Sequence, residues 1–187
     1  RKLKQLIFFS IAFVALLCLT VPVSAVEYNV GVEAGQWIKY GNYNVEDSGD
    51  EGTIPVWSKL EVSAVAGSEI LFFANGFYRN GTEFYYHMER SIEANTTLII
   101  GANLTAGDKI NPTEDVRINK TETRSYLGVD RSVNRLEFTT LSSTGNYTAV
   151  YVYDQNTGLL LEYFVEEKVT AENLDYEYRY SYNIIDT

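Results

Sequence analysis

Period two governs this chain. From Gly35 onward, apolar and polar residues alternate, and the breaks are turn residues rather than helix caps. Alternation sends successive side chains to opposite sides of an extended backbone, so each run builds one half-buried strand. The runs at 37–45, 56–66, 69–79, 82–93, 116–127, 131–141, 147–153, 159–170 and 175–185 read as nine strands. Asn80-Gly81 suits a two-residue type I′ hairpin, and further hairpins are expected about Gly128-Val129-Asp130 and from Asp154 to Gly158. Only 95–105, with Leu98, Ile99, Ile100 and Leu104, departs from the alternation, and it reads as a short helix or a buried crossover. The expected class is therefore all-β, admitting that one short helix. The architecture is an antiparallel meander of about nine strands forming a strongly curved sheet or a partly closed barrel.

Residues 1–25 follow a different logic. Arg1, Lys2 and Lys4 precede an apolar run from Leu6 to Leu19, and Val23-Ser24-Ala25 offers a small-residue cleavage site. That is the layout of a secretory signal peptide, and the run is too short for the hydrocarbon core of a bilayer. Residues 26–187 then form a single β-rich extracellular domain, placed outside the cell or on the outer face of its envelope. Cleavage removes three of the 15 basic residues and none of the 25 acidic ones, so the net charge moves from −10 to −13. This balance argues against nucleic acid as a partner. Cys18, the one cysteine, is lost with the signal, which excludes disulfides and thiolate metal sites in what remains. Leu17 before it does not suit lipidation. The abrupt stop at Asp186-Thr187 suggests C-terminal truncation, and membrane association is expected only through an anchor missing there.

Tyrosine is the residue type that stands out. Tyr176, Tyr178, Tyr180 and Tyr182 alternate without a break, and Tyr147, Tyr151 and Tyr153 form a second row with Ala149. A strand puts each row on one face, where an apolar ring with a polar tip suits a wall that touches a ligand. The same rows also suit a half-buried pleated surface with no ligand at all. The acids Glu46, Asp47, Asp50 and Glu51 do not have the spacing of a calcium loop and read as a solvated hairpin tip. His87, the one histidine, lies between Tyr86 and Met88 with no nucleophile motif to serve. No enzyme, cofactor or metal is expected, and a carboxylate-based hydrolase is the remaining catalytic option.

Five triplets match the N-glycosylation acceptor, at Asn80, Asn95, Asn103, Asn119 and Asn146, all completed by Thr. The chain's 14 Asn and 28 Ser plus Thr would give about two by chance, so glycosylation of at least two is expected.

Four segments resemble those of secreted, surface-anchored archaeal β-rich proteins of unknown function. They are Gly31-Val32-Glu33-Ala34-Gly35-Gln36-Trp37-Ile38-Lys39-Tyr40, Asn103-Leu104-Thr105-Ala106-Gly107-Asp108, Tyr126-Leu127-Gly128-Val129-Asp130-Arg131 with Val133-Asn134, and 153–162. The Asp154-x-x-Thr157-Gly158-Leu159 hairpin is also similar to one in the LolA/LppX/RseB lipoprotein-carrier superfamily. That likeness implies a curved sheet cupping an apolar cavity, covered by helices, and a lipid as ligand. Locally the motif lets Asp154 cap the turn and Gly158 take a left-handed conformation. The expected function is a non-catalytic cell-envelope domain that holds a lipid or other apolar ligand on the concave face. The tyrosine rows and Phe72, Phe77, Phe84 and Phe164 would line that face, and envelope components are the other expected partners. The alternative is a surface glycoprotein module, structural or interacting, whose tyrosines are core.

Overall fold

The computed structural model describes residues 26–46, 51–94, 97–142, 145–171 and 174–187. Residues 1–25, expected above to be a signal peptide, lie outside them, as do Asp47, Asp50 and the expected acceptor Asn95. Nine antiparallel strands form one sheet: β1 (Trp37–Glu46), β2 (Pro55–Ala66), β3 (Glu69–Tyr78), β4 (Glu83–Ser91), β5 (Lys120–Tyr126), β6 (Val129–Ser142), β7 (Gly145–Asp154), β8 (Leu160–Ala171) and β9 (Leu174–Asp186). A 3-10 turn, Glu51–Thr53, precedes β2. Among the described residues there is no α-helix.

The spatial order is β4-β3-β2-β1-β9-β8-β7-β6-β5. Two hairpin meanders run outward from the centre, and the first and last strands join them through pairs such as Tyr40↔Ile184 and Val45↔Tyr180. β4 and β5 form no ladder with each other, so the sheet is open and does not close into a barrel. It does curl. Tyr86 on β4 and Tyr180 on β9 would stand ~19 Å apart across a flat sheet, yet they line one pocket.

One face, here the inner face, carries Leu60, Val62, Phe72, Ala74, Leu136, Tyr153 and Val165, all buried. Residues 92–94 and 97–119 lie against it outside any strand or helix and supply Ile92, Ile99, Ile100, Ala102, Leu104, Ile110 and Ile118 to the core. Each buried aliphatic side chain contributes about 1.5–3 kcal/mol relative to exposure. The stretch expected as a helix or crossover is thus an extended cover over 97–105. A β-strand cannot start at Val116 because Ile118 belongs to that cover, where its N–H donates to the Asp108 carbonyl; β5 begins only at Lys120.

The cover is fastened where β7 turns into β8. Asp154 is buried, and its Oδ1 accepts from the N–H groups of Asn156 and Thr157 and from Thr157 Oγ1, while Oδ2 meets Arg131 Nη1 at 3.1 Å. Gly158 takes φ +75°, as the motif requires. Its carbonyl accepts from the Ile100 N–H at 3.0 Å, and the Leu160 N–H donates to the Leu98 carbonyl at 3.0 Å. The Leu104 carbonyl accepts from both Asn134 Nδ2 and Gln155 Nε2.

Two hairpins differ from their expected forms. At 79–82 only Gly81 has positive φ, because Asn80 Oδ1 takes the Thr82 N–H and Oγ1 into a side-chain-closed turn. The β5–β6 turn uses Leu127 and Gly128, both at positive φ, one residue earlier than expected.

On the outer face, Lys39 and Lys59 are direct cross-strand neighbours. Each lies over the other strand's tryptophan, Lys39 over Trp57 at 4.5 Å and Lys59 over Trp37 at 4.9 Å. Farther along, Arg179 pairs with Glu46, Glu166 and Glu177, linking β1, β9 and β8.

A Cβ on Gly158 would collide with the Ile100 carbonyl, whereas Gly67 at φ +63° has open space around it. Gly158→Ala should therefore cost about 2–3 kcal/mol and Gly67→Ala about 1 kcal/mol. Urea unfolding of the two variants measures this, and equal losses would show that the cover does not press on Gly158.

Candidate functional site

Register brings the tyrosines together. Leu136↔Tyr151 joins β6 to β7, Tyr151↔Tyr163 joins β7 to β8, and Tyr163↔Tyr182 joins β8 to β9. Both tyrosine rows therefore share the inner face, bridged by Tyr163, which the alternation of β8 places between them. Ring centroids run 6.0 Å from Phe138 to Tyr151, 5.0 Å to Tyr163, 5.4 Å to Tyr182 and 5.2 Å to Tyr43. One aromatic stripe crosses five strands.

Tyr43 enters that stripe through an irregularity. Tyr40 and Tyr43 are an odd number of residues apart, yet both face inward, because β1 shifts register between Gly41 and Asn44 with Asn42 at φ +52°. On the far side β3 and β4 add Tyr78, Phe84 and Tyr86, with Tyr78 and Phe84 4.6 Å apart. Strands β1, β2, β3, β4 and β9 surround a pocket of about 200 Å³ that also reaches Leu98 of the cover. A second pocket of about 260 Å³ lies under Thr97, Ile110, Glu114 and Val116, against Leu136, Phe138, Tyr151 and Tyr153. A larger depression of about 300 Å³ lies away from the tyrosines. Its one basic side chain, Arg131, is already paired with Asp154.

Burial divides the candidate residues. Tyr153 is core, as is Tyr40, whose hydroxyl donates to the Leu160 carbonyl at 2.8 Å. Tyr182 packs edge-on against Tyr40 at the border of the core. Tyr147, Tyr151, Tyr176, Tyr178 and Tyr180 are only half-buried, and Tyr86 and Phe138 are exposed. Phe72 is core and Phe84 lines the pocket, but Phe77 and Phe164 alternate to the outer face and are removed from the site.

The phenols are kept neutral. Burial pushes Tyr43 up to about 12, with the Tyr86 charge adding and the Ser58 hydrogen bond opposing. Burial also raises Tyr163 and Tyr180, whose neighbours are themselves tyrosines: Tyr151 and Tyr147 for the first, Tyr43 and Tyr178 for the second. The surface is apolar at its ring faces and hydrogen-bonding at its tips. Glu114 is the one acid among the residues lining the two inner-face pockets. Among the described residues no three His, Cys, Asp or Glu side chains come together. His87 is exposed on β4 and lies tilted against Phe73 of the outer face. Glu46 is taken up by Arg179.

The described acceptor asparagines, Asn80, Asn103, Asn119 and Asn146, are all exposed. No helix of the described residues is long and apolar enough to cross a membrane. Comparison with known protein families, curated proteins and solved structures gives no match.

Sequence reasoning found the two tyrosine rows and missed Tyr43, Tyr78, Tyr86 and Tyr163. The Gly41-Asn42 pair inside a strand signals the bulge that turns Tyr43 inward. Tyr163 follows from parity with Leu161 and Val165. Nothing local marks Tyr78 and Tyr86, since they join the site only through the curl of the sheet.

Raised phenol pKa values set a sign for alkaline stability. An unfolded tyrosine ionises near 10, while folded Tyr43 holds its proton to about 12. The stabilisation is complete below pH 10 and is lost as the pH rises from 10 through 12, because only the unfolded chain gains by ionising. Urea midpoints should fall across that window, and phenolate absorbance should lag behind that of the unfolded chain. A midpoint that stays level from pH 9 to 12 would refute this.

Proposed function

We propose that this chain is a non-catalytic, secreted domain of the cell envelope that lays an elongated apolar ligand, a lipid, across the inner aromatic stripe. The observation that carries the reading is the uneven cover. Among the described residues, 92–94 and 97–119 bury one part of the inner face, and a connected run of half-buried rings continues beyond them. A face built only for stability would be closed along its length, since exposed contiguous apolar surface is unusual in a soluble monomer. Tyrosine in place of phenylalanine keeps such a face soluble when empty, because each ring presents a hydroxyl to water.

The lipoprotein-carrier likeness supports the same reading and differs from it in one respect: an extended segment covers the sheet here, where the carriers use helices. Secretion through residues 1–25, the archaeal envelope and association with envelope components belong to the proposal. The alternative, a surface module with no small ligand, draws its support from Tyr40 and Tyr153, which are packed in a filled interior.

Native mass spectrometry of residues 26–187, purified without detergent, separates the two. A discrete added mass lost on denaturation is expected. Tyr180→Ala should weaken retention about tenfold, the equivalent of one lost ring contact of about 1.4 kcal/mol. A bare mass that stays bare after incubation with lipid vesicles would favour the ligand-free module.

A further inference from the structure

The acceptor asparagines are not equivalent in the folded protein. Asn80 closes its hairpin through Oδ1. Asn103 sits at φ +61°, a conformation asparagine tolerates better than most residues. Asn119 Oδ1 accepts from the Glu137 N–H, a group of β6 that lies beyond the first residue of β5. Each of these has a local reason to be asparagine.

Asn146 has none. It lies inside β7, a position that disfavours asparagine, in ordinary register with Leu141 on one side and Lys168 on the other. Its side chain is exposed and makes no hydrogen bond among the described residues. It stands on the outer face, opposite in parity to Tyr147. Directly across from it, Leu141 is an apolar side chain left 73% exposed on that same face. Thr148, which completes the triplet, is bonded to Thr139 rather than to Asn146.

We propose that Asn146 carries an N-linked saccharide that lies over Leu141 on the outer face, clear of the aromatic stripe. In the transfer, Asn146 Nδ2 forms a bond to the anomeric carbon of a saccharide held on a lipid-linked phosphate. The carbon–oxygen bond to that phosphate breaks, the lipid phosphate leaves with the electron pair, and the amide proton passes to a base of the transferring enzyme. The inference rests on the secretory part of the proposed function, because such donors act outside the cytoplasm.

The test uses protein from its native organism. Trypsin releases residues 136–168 as one peptide, in which Asn146 is the one acceptor triplet. Mass spectrometry should find this peptide mainly with a saccharide increment, and Asn146→Gln expressed in the same host should lose it. An unmodified peptide from protein whose residues 1–25 have been removed overturns the inference and leaves secretion standing. An unmodified peptide from protein that retains 1–25 overturns both. In unglycosylated recombinant protein, Asn146→Gln should leave the urea midpoint unchanged while Asn119→Ala lowers it. An equal loss in the two would give Asn146 a folded-state role and remove the reason for the inference.

Discussion

A buried stretch of irregular backbone must have its peptide groups satisfied, and the rest of this structure depends on how that is done for the cover, residues 97–119. Over 107–118 the cover bonds to itself, as the Ile110 N–H does to the Val116 carbonyl and the Ile118 N–H to the Asp108 carbonyl, but 98–104 has no helix or ladder of its own. It borrows partners from the β7–β8 turn instead: the Gly158 carbonyl for the Ile100 N–H, the Leu160 N–H for the Leu98 carbonyl, the Gln155 carbonyl for the Asn103 N–H, and two side-chain amides for the Leu104 carbonyl. Asp154 holds the turn that presents these groups. Without that turn Ile99, Ile100 and Leu104 would reach the core only by stranding their own amides. The position of the turn at one end of β7 also decides where the cover lies and which part of the inner face it leaves bare.

Much of this was legible in the sequence. Strand existence followed from alternation, and the Asp154–Gly158 turn followed from an aspartate that bonds its own backbone and a glycine free to take positive φ. Local chemistry determines those features, so local sequence reveals them. The Asn80 hairpin shows the limit: the dipeptide named a turn correctly, but competition from Thr82 for the asparagine oxygen selected a different one. Leu127 shows it from the other side, since a leucine at positive φ is set by the two strands it joins and not by its own preference.

The central pairing of β1 with β9 was not legible, because it joins residues as far apart as Glu46 and Arg179 and no turn announces it. The candidate site inherits that opacity. Each tyrosine row was visible as a row, yet the stripe exists only because β8 lies between β7 and β9 and because β9 meets a bulged β1. The wrongly included Phe77 and Phe164 are the converse case. Their hydrophobicity was evident, but their parity relative to the core depends on registers fixed by distant strands.

The central seam has a consequence for how the chain acquires its shape. Of these nine strands β1 is made first and β9 last, and each is the other's neighbour in the middle of the sheet. As the chain emerges, β2 to β4 can fold back on β1 in sequence, but β1 keeps one edge unpaired until nearly every residue is available. The contact that completes the sheet is thus among the least local in the molecule, the kind that closes late and slowly. On the secretory route proposed above, the emerging chain would hold an open half-sheet at the channel mouth, with the aromatic stripe assembling only when β9 arrives.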